Sequence, residues 1–306
     1  MFTELIKESI KQNKPAISES SLKTYVSILR NLFKKYGKEN EFNIKWFSDE
    51  TSRLKDIEEV KPNIRKTLLA ALIAITPEAH NKKYKKNMME SAQEVQQDNL
   101  KQEKTEAQSK NWIEQDELLN KFNEMKKSVK SLWNKSPLTK SEYMKLQDLI
   151  LVLITSGLMI PPRRSKDWSE FKIKNIDISK DNFMKGNKLY FNTYKGSDMK
   201  GQQIIEFPSD KKDLVMIFKK FHKLNPYDYL LVDSQNKKMN SVKINQYLEK
   251  IFNKKISVNI FRHSFISSKY PINQVAELTK DAQDMGSSVN MMLNTYIKKN
   301  SPSASP

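Results

Sequence analysis

Cysteine is absent from the 306 residues, so disulfides and thiolate metal sites are excluded and nothing supports a redox role or an oxidising compartment. Histidine is nearly absent. The three present, His80, His222 and His263, show no helical ligand spacing, which speaks against a structural zinc site. The longest apolar run, residues 149–160, is broken by Thr155, Ser156 and Gly157 and falls short of the roughly 20 residues of a membrane span. No membrane segment is expected. The N-terminal stretch MFTELIKESIKQNKP has no apolar core of an export signal, so the expectation is a soluble, intracellular protein. Acidic residues are also in deficit: 36 Asp+Glu face 54 Lys+Arg, a formal charge of +18. A surplus of that size, carried mostly by lysine, suits contact with a phosphate backbone, and nucleic acid is the leading candidate partner.

The length suggests two domains. In the first third, Leu22, Tyr25, Val26, Leu29, Leu32 and Phe33 recur at helical steps after a candidate cap at Ser18 or Ser20, and the pattern ends near Gly37. Pro62 opens a second helix, with Leu68, Leu69, Leu72, Ile73 and Ile75 on its core side, and Pro77 closes it. Residues 81–110 are almost wholly polar and read as an exposed long helix or a mobile segment. The lysine run NKKYKKN within them reads as a solvated face, a localisation signal or a DNA-backbone contact, the first and last about equally favoured. A third helix is expected at 114–133, followed by a linker at 134–137 and a domain boundary there, giving a helical domain over 1–134 and a second domain over 135–306.

The second half changes periodicity. Residues 143–156 are too apolar for a surface helix and should form the centre of a second core. Strands are expected at 171–178, 188–194 and 202–207, making a small antiparallel sheet, with helices near 211–222, 242–252, 260–268 and 273–281 and a last one carrying Met291, Met292, Leu293 and Tyr296. The fold class expected is mainly α with a small antiparallel β-sheet.

Chemistry-bearing residues recur in order through this half. SGLMIPPRRSKDW sets Arg163 and Arg164 after a double proline; YFNTYKGSDMKGQQIIEF sets Lys195 in a hairpin loop; VNIFRHSFISS sets Arg262 and His263 on an apolar helix; MGSSVNMMLNTYIKK sets Tyr296 near the end. Phosphoryl transfer needs fixed positive charge around a phosphorus that becomes more negative in the transition state. Arginine grips two phosphoryl oxygens through one planar fork, and a lysine can deliver a proton to a leaving oxygen. A tyrosine, with a phenol pKa of about 10, ionises more easily beside such cations. Taken singly, each residue has an ordinary reading: a packed tyrosine, solvated loop arginines, a surface lysine, a hydrogen-bonded histidine. Asp167, Asp177, Asp181 and Asp198 show no spacing of a metal nuclease site.

In this ordered series the chain resembles the tyrosine recombinases, or phage-type integrases, and in its PPRR run and YK…G.Q hairpin it resembles their eukaryotic-virus and virophage branch. The likeness covers roughly the last 170 residues. It implies an N-terminal helical core-binding domain and a C-terminal α+β catalytic domain that clamp duplex DNA. It further implies a metal-independent recombinase of a viral or mobile element that needs no cofactor, works as a homotetramer on DNA and passes through a 3′-phosphotyrosyl intermediate, in the nucleus or a cytoplasmic viral factory. By the family's Arg-x-x-Glu pattern, Arg164 with Asp167 matches the first catalytic arginine, with Arg163 as the alternative. Lys195 matches the hairpin lysine, Arg262 the second arginine and Tyr296 the nucleophile. Two positions depart from the pattern: Asn259 occupies a histidine position, and Ser287 stands where a second histidine follows Gly286. Neither side chain moves protons as imidazole does, and His263 is a candidate to compensate. The alternatives are a type IB topoisomerase-like nicking and resealing enzyme and a weakly cleaving DNA-binding protein.

Overall fold

The computed structural model describes residues 2–37, 43–270, 272–291 and 293. The chain forms two compact units, Met1–Lys104 and Thr105–Pro306.

The first unit is helical. It comprises α1 (Phe2–Asn13), α2 (Glu19–Tyr36), α3 (Glu50–Asp56), α4 (Pro62–Ile75) and α5 (Lys82–Leu100), with short 3₁₀ turns at Ile44–Ser48 and Glu78–His80. Ser18 caps α2, its side chain accepting from the Ser21 N–H, and Pro62 takes the first turn of α4, where a missing N–H costs nothing. Ile6 and Ile10 of α1, Leu22, Val26 and Leu29 of α2 and Leu69 and Leu72 of α4 close one core around Phe47. The polar stretch after residue 81 is a helix packed on α4, because Tyr84, Met88 and Ser91 recur at helical steps along one side of it. Tyr84 is fully buried and donates its hydroxyl to the Phe47 carbonyl at 2.7 Å. Arg65 of α4 donates to Ser91 and Glu94 of α5. The lysine run opening α5 is largely engaged within the unit: Lys83 donates to Thr51, Lys85 pairs with Glu78 and Lys86 lies 3.9 Å from Glu90.

The second unit begins earlier than the expected boundary near residue 134. α6 (Glu106–Asn111) and α7 (Gln115–Ser128) belong to it, because Ile113, Leu118 and Phe122 are buried in its core and not in the first. After a 3₁₀ turn at Lys130–Asn134 comes α8 (Lys140–Thr155), started by a capping box between Thr139 and Glu142. Ten of its residues are buried, from Tyr143 to Thr155, so it is the central helix that its apolarity required. α9 (Ser165–Ser169) follows, then β1 (Phe183–Lys185), β2 (Lys188–Phe191), α10 (Ser197–Lys200) and β3 (Gln203–Glu206). The strands form one antiparallel sheet in the order β1-β2-β3, with Tyr190 opposite both Phe183 and Ile204.

The strand expected at 171–178 does not form. Asn175 takes a left-handed turn (φ 49°), and Lys172 and Ile173 donate instead to the Asn182 and Asp228 carbonyls in isolated bridges. Residues 183–185 supply the third strand in its place. The remaining helices are α11 (Lys212–Leu224), α12 (Ser241–Phe252), α13 (Val258–Lys269), α14 (Ile272–Asp284) and the short α15 (Val289–Met291). Among the described residues no helix is long and apolar enough to cross a membrane.

Candidate functional site

The turn after α8 decides the geometry of the second unit's polar cluster. Gly157 adopts φ +95°, and a Cβ there would lie 2.4 Å from the Phe265 ring of α13. A glycine thus brings α13, which carries Arg262, against the segment leading into Pro161, Pro162, Arg163 and Arg164. α13 is also held through the adjacent residue: Gln115 donates to the Ser264 hydroxyl at 2.8 Å, and that hydroxyl donates to the Ile113 carbonyl at 2.7 Å. Gly157→Ala is expected to destabilise the protein by about 2 kcal/mol in denaturant titration, since both the left-handed backbone and the ring contact oppose a methyl group.

Arg163 points inward. Its Nε donates to Asp167 Oδ2 at 2.9 Å and its Nη1 to Gln203 Oε1 at 2.9 Å, while its guanidinium lies 3.9 Å from the centre of the Phe191 ring. Phe191 ends β2 and Gln203 begins β3. The arginine therefore clasps the base of the hairpin whose loop carries Lys195. Tyr194 folds the same loop back, donating its hydroxyl to the Gly201 carbonyl at 2.8 Å, and Gly196 and Gly201 take positive φ at the loop's two bends. Lys195 itself is exposed.

Asp167 is the acidic centre of this cluster. Burial pushes its carboxyl up, and Arg163 first, then Arg164 and Arg262, offset part of that rise through their charges. Three arginines thus bear on one buried carboxylate. Burial also draws the Arg163 guanidinium down, against the opposing pull of Asp167. Arg164, by contrast, is exposed at the start of α9, and Arg262 is half-buried. The acid expected to partner Arg164 is bonded to Arg163, because the helical i,i+4 step lets Arg163 lie along α9 while Arg164 turns outward at the helix cap.

No protein-family model matches the chain, and no curated protein does. Among solved structures the chain is similar to a crystal structure of XerA recombinase, at 14% identity over 98% of this chain and 93% of that one, with a TM-score of 0.35. That likeness is too distant to assign a family or an activity.

The other expected site residues sit as follows. His263 and Asn259 are exposed on α13, Asn259 in its first turn. Ser287 follows a left-handed Gly286, and its backbone N–H donates to the Ala282 carbonyl at 2.7 Å, closing the end of α14. Among the described residues no hydrogen bond or ion pair joins Ser287 to the arginine cluster. Tyr296 lies outside the described residues. Gln203, which holds the hairpin to Arg163, had a signal in the sequence: it is the glutamine of the G.Q element after Tyr194 and Lys195.

Proposed function

We propose that this protein is a DNA strand-transfer enzyme of the tyrosine recombinase type, its second unit cleaving and rejoining a phosphodiester and its first, basic and helical, adding contacts to the DNA backbone. The observation that carries this reading is the clasp at Asp167: through Arg163 the double-proline turn and the hairpin base are bonded together at one buried acid, which also feels the charges of Arg164 and Arg262. The exposed Arg164 and half-buried Arg262 are then free to grip phosphoryl oxygens, while Arg163 and Asp167 serve as their scaffold. Lys195, on the clasped loop, protonates the departing 5′ oxygen as the Tyr296 phenolate bonds to phosphorus and the P–O5′ bond breaks. The 3′-phosphotyrosyl bond conserves the energy of the phosphodiester, so a 5′ hydroxyl of another strand reseals it. Exchange between two duplexes takes four such sites, hence a tetramer on DNA.

The experiment is a trap. Duplexes selected by this protein from a random-sequence pool, nicked so that the cleaved end is lost, should give a detergent-stable protein–DNA adduct. Tyr296→Phe should give none while still binding the duplex, and Arg262→Ala should slow adduct formation by about 10²–10³-fold. Absence of an adduct on selected duplexes overturns the reading. A second reading has its own support: Asn259 and Ser287 stand where imidazoles are expected, which favours a DNA-binding protein that cleaves poorly. Tight duplex binding without an adduct is its signature.

A further inference from the structure

Away from the arginine cluster, the second unit carries a groove of about 700 Å³ between two helical banks, α7 with the following 3₁₀ turn on one side and α11 on the other. Its floor is apolar. Trp133 and Ile217 are partly exposed there, and Met216 is 60% exposed, a large apolar side chain offered to solvent. Lysines surround it: Lys126, Lys127 and Lys130 on the first bank, Lys220 on the second, against one acid, Asp213. Among the described residues none of the four lysines has a carboxylate within ion-pair distance. Lys220 lies 5.6 Å from the centre of the Trp133 ring and donates to Asn134. The volume falls within the roughly 300–1,000 Å³ of ligand pockets.

We propose that this groove docks an acidic amphipathic helix of a partner protein, its apolar side chains on Trp133, Met216 and Ile217 and its carboxylates flanked by the lysines. A nucleic-acid backbone fits the floor poorly, because sugar and phosphate would leave the apolar side chains of Met216 and Ile217 against polar groups. A helix of apolar stripe and acidic flanks satisfies both features at once, the stripe being read at i, i+3 and i+4. Met216 and Lys220 lie one turn apart on the same face of α11, so this bank offers an apolar contact and a positive charge side by side.

The test uses the full chain and two blocked synthetic helical peptides, one with leucines on one face and glutamates on the other, the second with lysines replacing the glutamates. Calorimetry should detect the acidic peptide and not the basic one, and the acidic peptide should change the tryptophan emission of the parent protein but not of Trp133→Phe. Met216→Asp, and separately Lys126→Glu combined with Lys130→Glu, should weaken the acidic peptide by about tenfold or more. Met216, Lys126 and Lys130 are exposed, so circular dichroism and melting of their variants should be unchanged. Equal binding of both peptides, or unchanged affinity in the variants, overturns the proposal. So does a loss of duplex binding in the lysine variants, which would make the groove a nucleic-acid surface, or a change in their sedimentation, which would make its occupant a second copy of this chain.

Discussion

Arg163→Ala is expected to destabilise the protein by roughly 3–5 kcal/mol, whereas Arg164→Ala, one residue away, should change stability by no more than about 0.5 kcal/mol. The difference follows from where each guanidinium lies. Arg163 is 12% exposed at its side chain and its partner Asp167 only 4%, so truncation strands a carboxylate in the core. Asp167 Oδ1 already has no hydrogen-bond partner, and Arg163 supplies the bond that Oδ2 accepts. Removing it also frees Gln203 and uncovers the Phe191 ring, loosening the hairpin base. Asp167→Asn in the Arg163→Ala background should recover part of the loss, since the charge and not the volume is the larger cost. Arg163→Lys should recover little, because one ammonium cannot bond Asp167 and Gln203 in the plane of a fork.

The same pair separates stability from chemistry. Arg164→Ala should fold normally and lose about 10²–10³-fold in adduct formation on selected duplexes, while its binding falls far less. Urea titration with the trapping assay reads both arms. A stable Arg163→Ala beside an unstable Arg164→Ala would reverse the assignment of scaffold and phosphate ligand.

The sequence told much about helices and less about their partners. The central helix, the cap at Ser18 and the strands around 188–191 and 203–206 were legible because apolar period and capping chemistry are local. The strand at 171–178 was misread: its alternation is real, but Asn175 turns the chain, a backbone preference that periodicity does not see. The boundary near 134 was drawn at a proline, yet which core a helix joins depends on non-local packing, and Leu118 and Phe122 join the second. At the candidate site, residue types and their order were visible, and the choice between Arg163 and Arg164 was not. A spacing rule pairs Asp167 with the arginine three residues before it; the helix start turns that residue outward and gives the acid to its neighbour.

Asp148 should make the protein's stability depend on pH across the neutral range. It lies on the central helix α8, mostly buried, with Oδ1 lacking a hydrogen-bond partner. Burial pushes its carboxyl up to about 7, and the positive charge of Lys250 on α12 offsets only part of that rise. The Tyr247 phenol of α12 is the other titratable group that feels its charge. The folded protein therefore holds this proton more tightly than the unfolded chain, whose aspartates ionise near pH 4. Between about pH 4 and 7 the unfolded chain is the first to lose it, so this group's contribution to stability is intact at the acid end of that window and is lost as pH rises through it. The full shift corresponds to about 4 kcal/mol, and residual contact with water keeps the observable change nearer 2 kcal/mol. Glu142 and Asp233, held down at about 2 by Lys135 and Lys243 through hydrogen bonds, act in the opposite sense, but only below about pH 4. Asp148→Asn, which keeps the shape and cannot ionise, should thus be more stable than the parent at pH 8 by about 2 kcal/mol and match it near pH 4.5. Urea midpoints for both proteins across pH 4.5–8 decide the matter, and parallel curves would show that Asp148 stays ionised throughout.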